Sequence, residues 1–245
     1  MINITNKKAR RRYQQEFERH SIRLERTFAR EIRPVLGRQF FNAAALVRQG
    51  VLDAVDHAVD LERERLHRIF KKHYKRVTAS FGRKAFRIFE EVQAKSIYPE
   101  SPSSDIIIDP ESPDYPLPID VIIEPQEFKT PKDEYWRSMD RWAATQAAEK
   151  VRRIQKTTKK VIANVIRKGM GEGESHREIA KRIRKTSAVI NPHRSITISL
   201  TETHTAAVKS VDTAVASTRI EMQREWLSSK DSRTRTRDVR GGFEH

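Results

Sequence analysis

Proline placement constrains this chain more than any other feature. Eight of its 10 prolines fall in residues 96–135, which read SIYPESPSSDIIIDPESPDYPLPIDVIIEPQEFKTPKDEY. Proline has no amide donor and its ring clashes with the preceding turn, so this density excludes a helix. The segments on either side have helical periodicity. The expected order is a helical region (1–95), an insertion (96–135), a long helix (136–168) and a C-terminal domain (169–245).

Charge divides the chain at the same places. Residues 1–95 hold 23 basic and 11 acidic groups, net +12. Residues 96–135 hold 2 basic and 10 acidic groups, net −8, and residues 136–245 hold 24 and 12, net +12. The total of +16 points to a polyanionic partner. Within the insertion, the β-branched runs at 105–109 and 119–124 are consistent with a hairpin or with an extended surface linker. An acidic hairpin of this kind would suit docking on a basic surface.

Several function classes are excluded at once. The chain has no cysteine, so disulfide scaffolds, cysteine nucleophiles and thiolate metal sites are absent. No apolar run approaches the ~18 residues of a membrane span. The N-terminal MINITNKKARRR lacks the apolar stretch of a secretory signal. Neither glycine-rich phosphate motif occurs.

Residues 7–33 form the most informative predicted helix. Tyr13, Phe17, Leu24, Phe28 and Ile32 share one side at 100° per residue. Lys8, Arg12, Arg19, Arg23, Arg26, Arg30 and Arg33 share the other, within an arc of about 80° that contains no carboxylate. Like charges three and four residues apart repel by ~0.2–0.5 kcal/mol per pair. An anion lying along the stripe relieves that cost, and arginine's planar fork suits phosphate. The expected ligand is double-stranded DNA, with Arg12, Arg19, Arg23, Arg26, Arg30 and Arg33 as contacts. The plain alternative is a solvated bundle face.

Further helices follow from spacing. One or two long helices are expected over 39–92. Their bundle or coiled-coil seam is Phe40, Ala44, Val47, Val51, Ala54, Ala58 and Leu61, continued by Leu66 to Val92 with Gly82 as a weak point. In the helix beginning near Trp136, the expected buried side is Met139, Trp142, Gln146, Val151, Ile154, Thr158, Val161 and Val165. The glycines of 169–175 should stop that helix. Ser175 with Glu178 forms a capping box opening a short helix through Lys185. Asn191 and Pro192 signal another start, running to about Thr218 with a small-residue core side. A short strand is expected at 224–228.

No histidine pair has the four-residue spacing of a helical metal site. No nucleophile elbow is present, and Glu202 and His204 fall on different helix faces. The residues alone therefore reveal no active site, metal or cofactor.

Thr201, Glu202, Thr203 and His204 read T-E-T-H on a helix. Trp226, Asp231, Arg233 and Arg235 follow with the spacing W-x-x-x-x-D-x-R-T-R. With the SHREIAKRIRK helix before them, this order resembles phage head morphogenesis proteins of the Mu F type, over roughly residues 169–245. In that family a histidine commonly follows R-T-R within a few residues. Here the next one is His245, the last residue, so the chain is expected to stop inside the motif.

The resemblance implies a non-enzymatic minor capsid protein of a tailed phage. Such a protein sits inside the head at the portal vertex and contacts portal protein, packaged DNA and possible capsid or scaffold proteins; during assembly it is in the host cytoplasm. Glu202 is then expected to pair with Arg233 or Arg235 beside Trp226, a structural staple. The alternatives are a metal site at His204 and His245, a metal-dependent nuclease-like enzyme, or a cellular helical nucleic-acid-binding protein. The fold class expected overall is mainly α: a long-helix bundle with a Pro-rich acidic insertion and a small, incomplete α+β C-terminal domain.

Overall fold

The computed structural model describes residues 7–97 and 130–218, with side chains described for 15–91 and 130–218. The described chain is all helix and turn: α1 Lys7–Arg48, α2 Val55–Asp60, α3 Arg63–Ile97, α4 Pro131–Gly171 and α5 His176–Thr218. The runs at 105–109 and 119–124, the strand at 224–228 and the rest of the expected α+β domain lie outside the described residues. No described helix is long and apolar enough to cross a membrane.

The four long helices each run antiparallel to their neighbours in sequence. Phe17 meets Phe81 and Phe28 meets Phe70, which sets α1 against α3. Tyr74 meets Trp142, which sets α3 against α4. The Arg194 guanidinium donates to the Ile154 carbonyl at 2.9 Å, joining α4 to α5. The central core layer holds Phe28, Ile32, Leu66, Phe70, Tyr74, Ala147, Val151 and Ala206, contributed by all four. Phe40, Val47, Val59, Ile162, Ile179 and Ile183 fill the end closed by α2. Phe86, Phe89, Tyr135, Met139 and Ala214 fill the other. Each large apolar side chain so buried contributes ~1.5–3 kcal/mol.

Packing overrides two proline signals. Pro34 lies inside α1 and Pro192 inside α5, where separate helices were expected to end or begin. An interior proline costs ~3 kcal/mol. Around Pro34, the fully buried Phe28, Ile32, Val35 and Leu36 hold the helix on course. Beside Pro192, Asn191 donates its amide to the Ser187 hydroxyl rather than capping a new helix, and the Ser195 hydroxyl donates to the Pro192 carbonyl at 2.8 Å.

Glycine supplies a stop that the expected seam had crossed. Gly50 adopts φ 80°, its amide bonds the Val47 carbonyl, and the Val51 amide bonds the Leu46 carbonyl, a Schellman C-cap. Val51 and Leu61 are consequently exposed, whereas Phe40, Ala44 and Val47 are buried. Gly173, φ 71°, ends α4 in the same way. The capping box at Ser175 and Glu178 is present at the start of α5. A second box, Thr130 with Asp133, starts α4 with Pro131 in its first turn. The helix therefore begins inside the stretch expected to be insertion, because proline in the first turn removes no helical hydrogen bond.

The buried side of α4 is narrower than expected. Met139, Val151, Ile154 and Thr158 are buried, but Ala143, Ala147, Gln155 and Ile162 complete the seam. Trp142, Gln146, Val161 and Val165 flank it half-buried. Gly82 proves to be a contact and not a weak point. It is buried where the Tyr135 ring crosses α3, and a Cβ there would overlap the ring and its hydroxyl. That hydroxyl donates to the Thr78 carbonyl at 2.6 Å and lies 2.6 Å from the Ser210 hydroxyl. Gly82→Ala should therefore lower stability by ~1–3 kcal/mol, despite the ~1 kcal/mol gain in helix propensity. Denaturant titration checks this: a stabilised Gly82→Ala would show that α3 and α4 do not approach so closely.

Candidate nucleic-acid interface

Burial of one side of α1 fixes where its arginines go. Phe28 and Ile32 are fully buried, and Arg19, Arg23, Arg26, Arg30 and Arg33 on the other side are all exposed. No carboxylate among the described residues pairs with any of these five. At 1.5 Å per residue the row from Arg19 to Arg33 is about 21 Å long. Arg12 lies on the backbone of α1, with its side chain outside the described residues.

A second basic row, on α3, was missed by sequence reasoning. Arg65, Arg68, Lys72, Lys75 and Arg83 are exposed on its outer side. The signal was available, since these positions recur at three- to four-residue intervals and at intervals of about two turns. It is diluted by acidic residues in the flanking turns. A groove of about 610 Å³ joins the two rows, lined by Arg30, Pro34, Arg38, Arg65, Arg68 and Lys72. Glu31 sits in it and accepts from Arg76 at 2.8 Å, with Lys72 at 4.0 Å. Arg38 pairs with Glu62 at 3.0 Å. These acids clamp α1 to α3 and leave Arg30, Arg65 and Arg68 without a carboxylate partner among the described residues.

The T-E-T-H segment occupies the middle of α5, and the structure divides its residues between inside and outside. Glu202 and Thr203 are buried; Thr201 and His204 are exposed. The Tyr74 hydroxyl donates to Glu202 Oε2 at 2.6 Å, and Lys150 Nζ lies 3.0 Å from Oε1. Glu202 thus ties α5 to α3 and α4. Burial, then the Glu202 charge, pushes the Tyr74 hydroxyl well above the usual tyrosine range. Next to it His73 Nε2 lies 3.0 Å from the Thr203 hydroxyl, and its ring stacks on Phe28 at 3.8 Å. Burial, reinforced by the Arg76 charge, lowers the His73 pKa to about 3, so the ring is neutral. Burial raises the carboxyl of Glu25 on α1, an effect that the charge of His204 offsets in part. Trp226, Asp231, Arg233, Arg235 and His245 lie outside the described residues, so the expected partners of Glu202 are not seen, and both of its oxygens are engaged by Tyr74 and Lys150.

Among the described residues no group of three histidines, aspartates or glutamates could hold a metal. Neither a protein-family model nor a curated protein nor a solved structure matches this chain.

Two outcomes follow for the polar core. Glu202→Gln should cost ~3–5 kcal/mol, the range for breaking a buried ion pair on one side, because Lys150 keeps its charge without a partner. Lys150→Met should couple with it non-additively in a double-mutant cycle of unfolding free energies; additivity would mean the pair is not formed. His73 sets a pH dependence. Above pH 6.5 it is neutral folded and unfolded, and contributes no slope. Below 6.5 the unfolded chain takes up a proton that the folded chain refuses until about pH 3, so stability falls as pH falls, at up to ~1.4 kcal/mol per unit. Melting temperatures between pH 6.5 and 5 should show this loss, and His73→Gln should remove most of it. His20, also held low by burial and by Lys84 and Arg23, adds a loss of the same sign.

Proposed function

We propose that this chain is a structural DNA-contacting protein, and that its context is the tailed-phage head, as a portal-associated minor capsid protein. The observation that carries the first part is the exposed arginine row on α1, paired with no carboxylate among the described residues and braced by a packed core behind it. Five guanidiniums held in line repel one another, and phosphates arrayed along them remove that repulsion. The second part is supported by the order of T-E-T-H and W-x-x-x-x-D-x-R-T-R, which resembles head morphogenesis proteins of the Mu F type. Portal protein and packaged duplex are then its partners, with capsid or scaffold proteins in reach, and its place is inside the virion.

The buried side of the motif supports a structural role over a catalytic one. Glu202 is 4% exposed, and both its oxygens are committed to Tyr74 and Lys150. A carboxylate used in this way holds helices together and is not presented to a substrate. His204, the other ionisable residue of the motif, is exposed where Glu202 is buried, so the two are not presented together.

Duplex DNA binding should be independent of sequence and weaken steeply with salt, since released counterions drive it. Reversing Arg19, Arg23, Arg26 and Arg30 to Glu should abolish most of the binding and leave the helical circular dichroism and melting temperature nearly unchanged. An unchanged affinity and salt slope in that variant would falsify the arginine-row reading. Co-purification with a portal protein tests the virion context separately.

A further inference from the structure

We infer that the partner surface has two rails, and that the partner is the backbone of a nucleic-acid duplex in preference to a single strand. This rests on the DNA-contacting reading above and adds the α3 row to it. The antiparallel pairing of α1 with α3 puts the two rows at the same height: Phe28 meets Phe70, and Phe17 meets Phe81. Residues 68–83 of α3 cover about 22 Å, against about 21 Å for residues 19–33 of α1. Packed helices lie 8–10 Å apart, so the rows run side by side. Together they cover roughly six base pairs at 3.4 Å each.

The groove between the rows shows that they form one surface, since Arg30 of α1 lines it with Arg65, Arg68 and Lys72 of α3. A second depression runs along α3 itself, of about 680 Å³, with Lys71, Lys75 and Arg83 among its walls. Glu31 and Asp140 neutralise part of this set, through Arg76, Lys72 and Lys75. Arg65, Arg68, Lys71 and Arg83 have no carboxylate partner among the described residues. They are the α3 cations available to an external anion.

The side chains between the rails decide duplex against single strand. Proteins that hold single strands stack bases on exposed aromatic rings. Here Phe17, Phe28, Phe70, Tyr74 and Phe81 all turn inward. Phe41, the exposed aromatic among the described side chains of α1, lies two turns beyond Arg33, with the Arg184 guanidinium over its ring at 5.0 Å. Phosphates are recognised on this surface and bases are not, which suits a duplex with its bases stacked inside.

The test compares equal-length duplex and single-stranded oligonucleotides across a salt series, for the unmodified chain and for Arg65→Gln/Arg68→Gln/Lys71→Gln/Arg83→Gln. These substitutions leave the Glu31 and Glu62 clamps intact. The unmodified chain should prefer duplex. The variant should bind it at least about tenfold more weakly, with a salt slope shallower by about 2 or more, as expected when several phosphate contacts are lost. Circular dichroism should show an unchanged fold; if the quadruple variant unfolds, Arg68→Gln/Arg83→Gln should give a smaller shift in the same direction. An unchanged slope in the folded variant would overturn the second rail and leave the α1 reading standing. A preference for single strand would overturn the duplex assignment. No binding by the unmodified chain would remove both readings.

Discussion

A single buried carboxylate organises the bundle. Glu202 on α5 receives the Tyr74 hydroxyl from α3 and faces the Lys150 ammonium from α4, so three helices meet at two oxygens. One residue on, Thr203 meets His73, whose ring stacks on Phe28 of α1 and brings in the fourth. A carboxylate is stable in a core only when its lone pairs are engaged, so these contacts fix the height at which α5 sits. Beyond its first turns, where Ile179 and Ile183 are buried, α5 has few apolar knobs to set that height. From Ser195 on, its inner face apart from Glu202 and Thr203 is Ser195, Ser199, Ala206, Ala207, Ser210, Ala214 and Ser217. Small residues let the helices approach closely, and their hydroxyls find carbonyls across the interface: Ser199 donates to Glu25, and Ser210 donates to Thr78 at 3.2 Å. Register comes from hydrogen bonds, and burial of the Phe and Leu side chains of α1 and α3 supplies most of the cohesion.

This division of labour bears on the surface. A net charge of +16 opposes compaction, and the basic residues are concentrated on helices that must pack together. Carboxylates are placed where they clamp one helix to another: Glu31 to Arg76, Glu62 to Arg38, Asp60 to Lys159. The cations left over face outward, on the α1 row above all. Burial of the opposite side of α1 keeps them in line, the arrangement that a phosphate backbone would complement.

Much of this was legible in residue order. The apolar side of α1, the seam from Leu66 to Ala85, the glycine stop after α4 and the box at Ser175 and Glu178 follow from local spacing and capping chemistry. Pro34 and Pro192 misled because the cost of an interior proline is local, whereas the burial that outweighs it comes from residues distant in sequence. Gly50 escaped notice because the 4-3 spacing continues through it, and only the backbone reveals its left-handed turn. Gly82 resembled a defect for want of its partner, Tyr135, more than fifty residues away. On the site, the outward arginines of α1 lie where periodicity placed them. The α3 row was diluted by acids in the flanking turns, Glu62 and Glu64 before it and Glu90 and Glu91 after it, although none stands between Arg65 and Arg83. Glu202 stood out by its motif, but Tyr74 and Lys150 carry no sequence signal that marks them as its partners.

The central claim is that a defined face, and not diffuse positive charge, meets the nucleic acid. Lysine-directed acetylation with and without a short duplex, read by mass spectrometry, tests it most directly. Lys71, Lys72 and Lys75 line the depression along α3, and Lys156, Lys160 and Lys185 lie on α4 and α5. The account expects the duplex to slow modification of the first three and to leave the second three unchanged. Equal protection of all six would contradict it, and would mean that the charge acts as an unstructured cloud around a bundle whose faces are interchangeable.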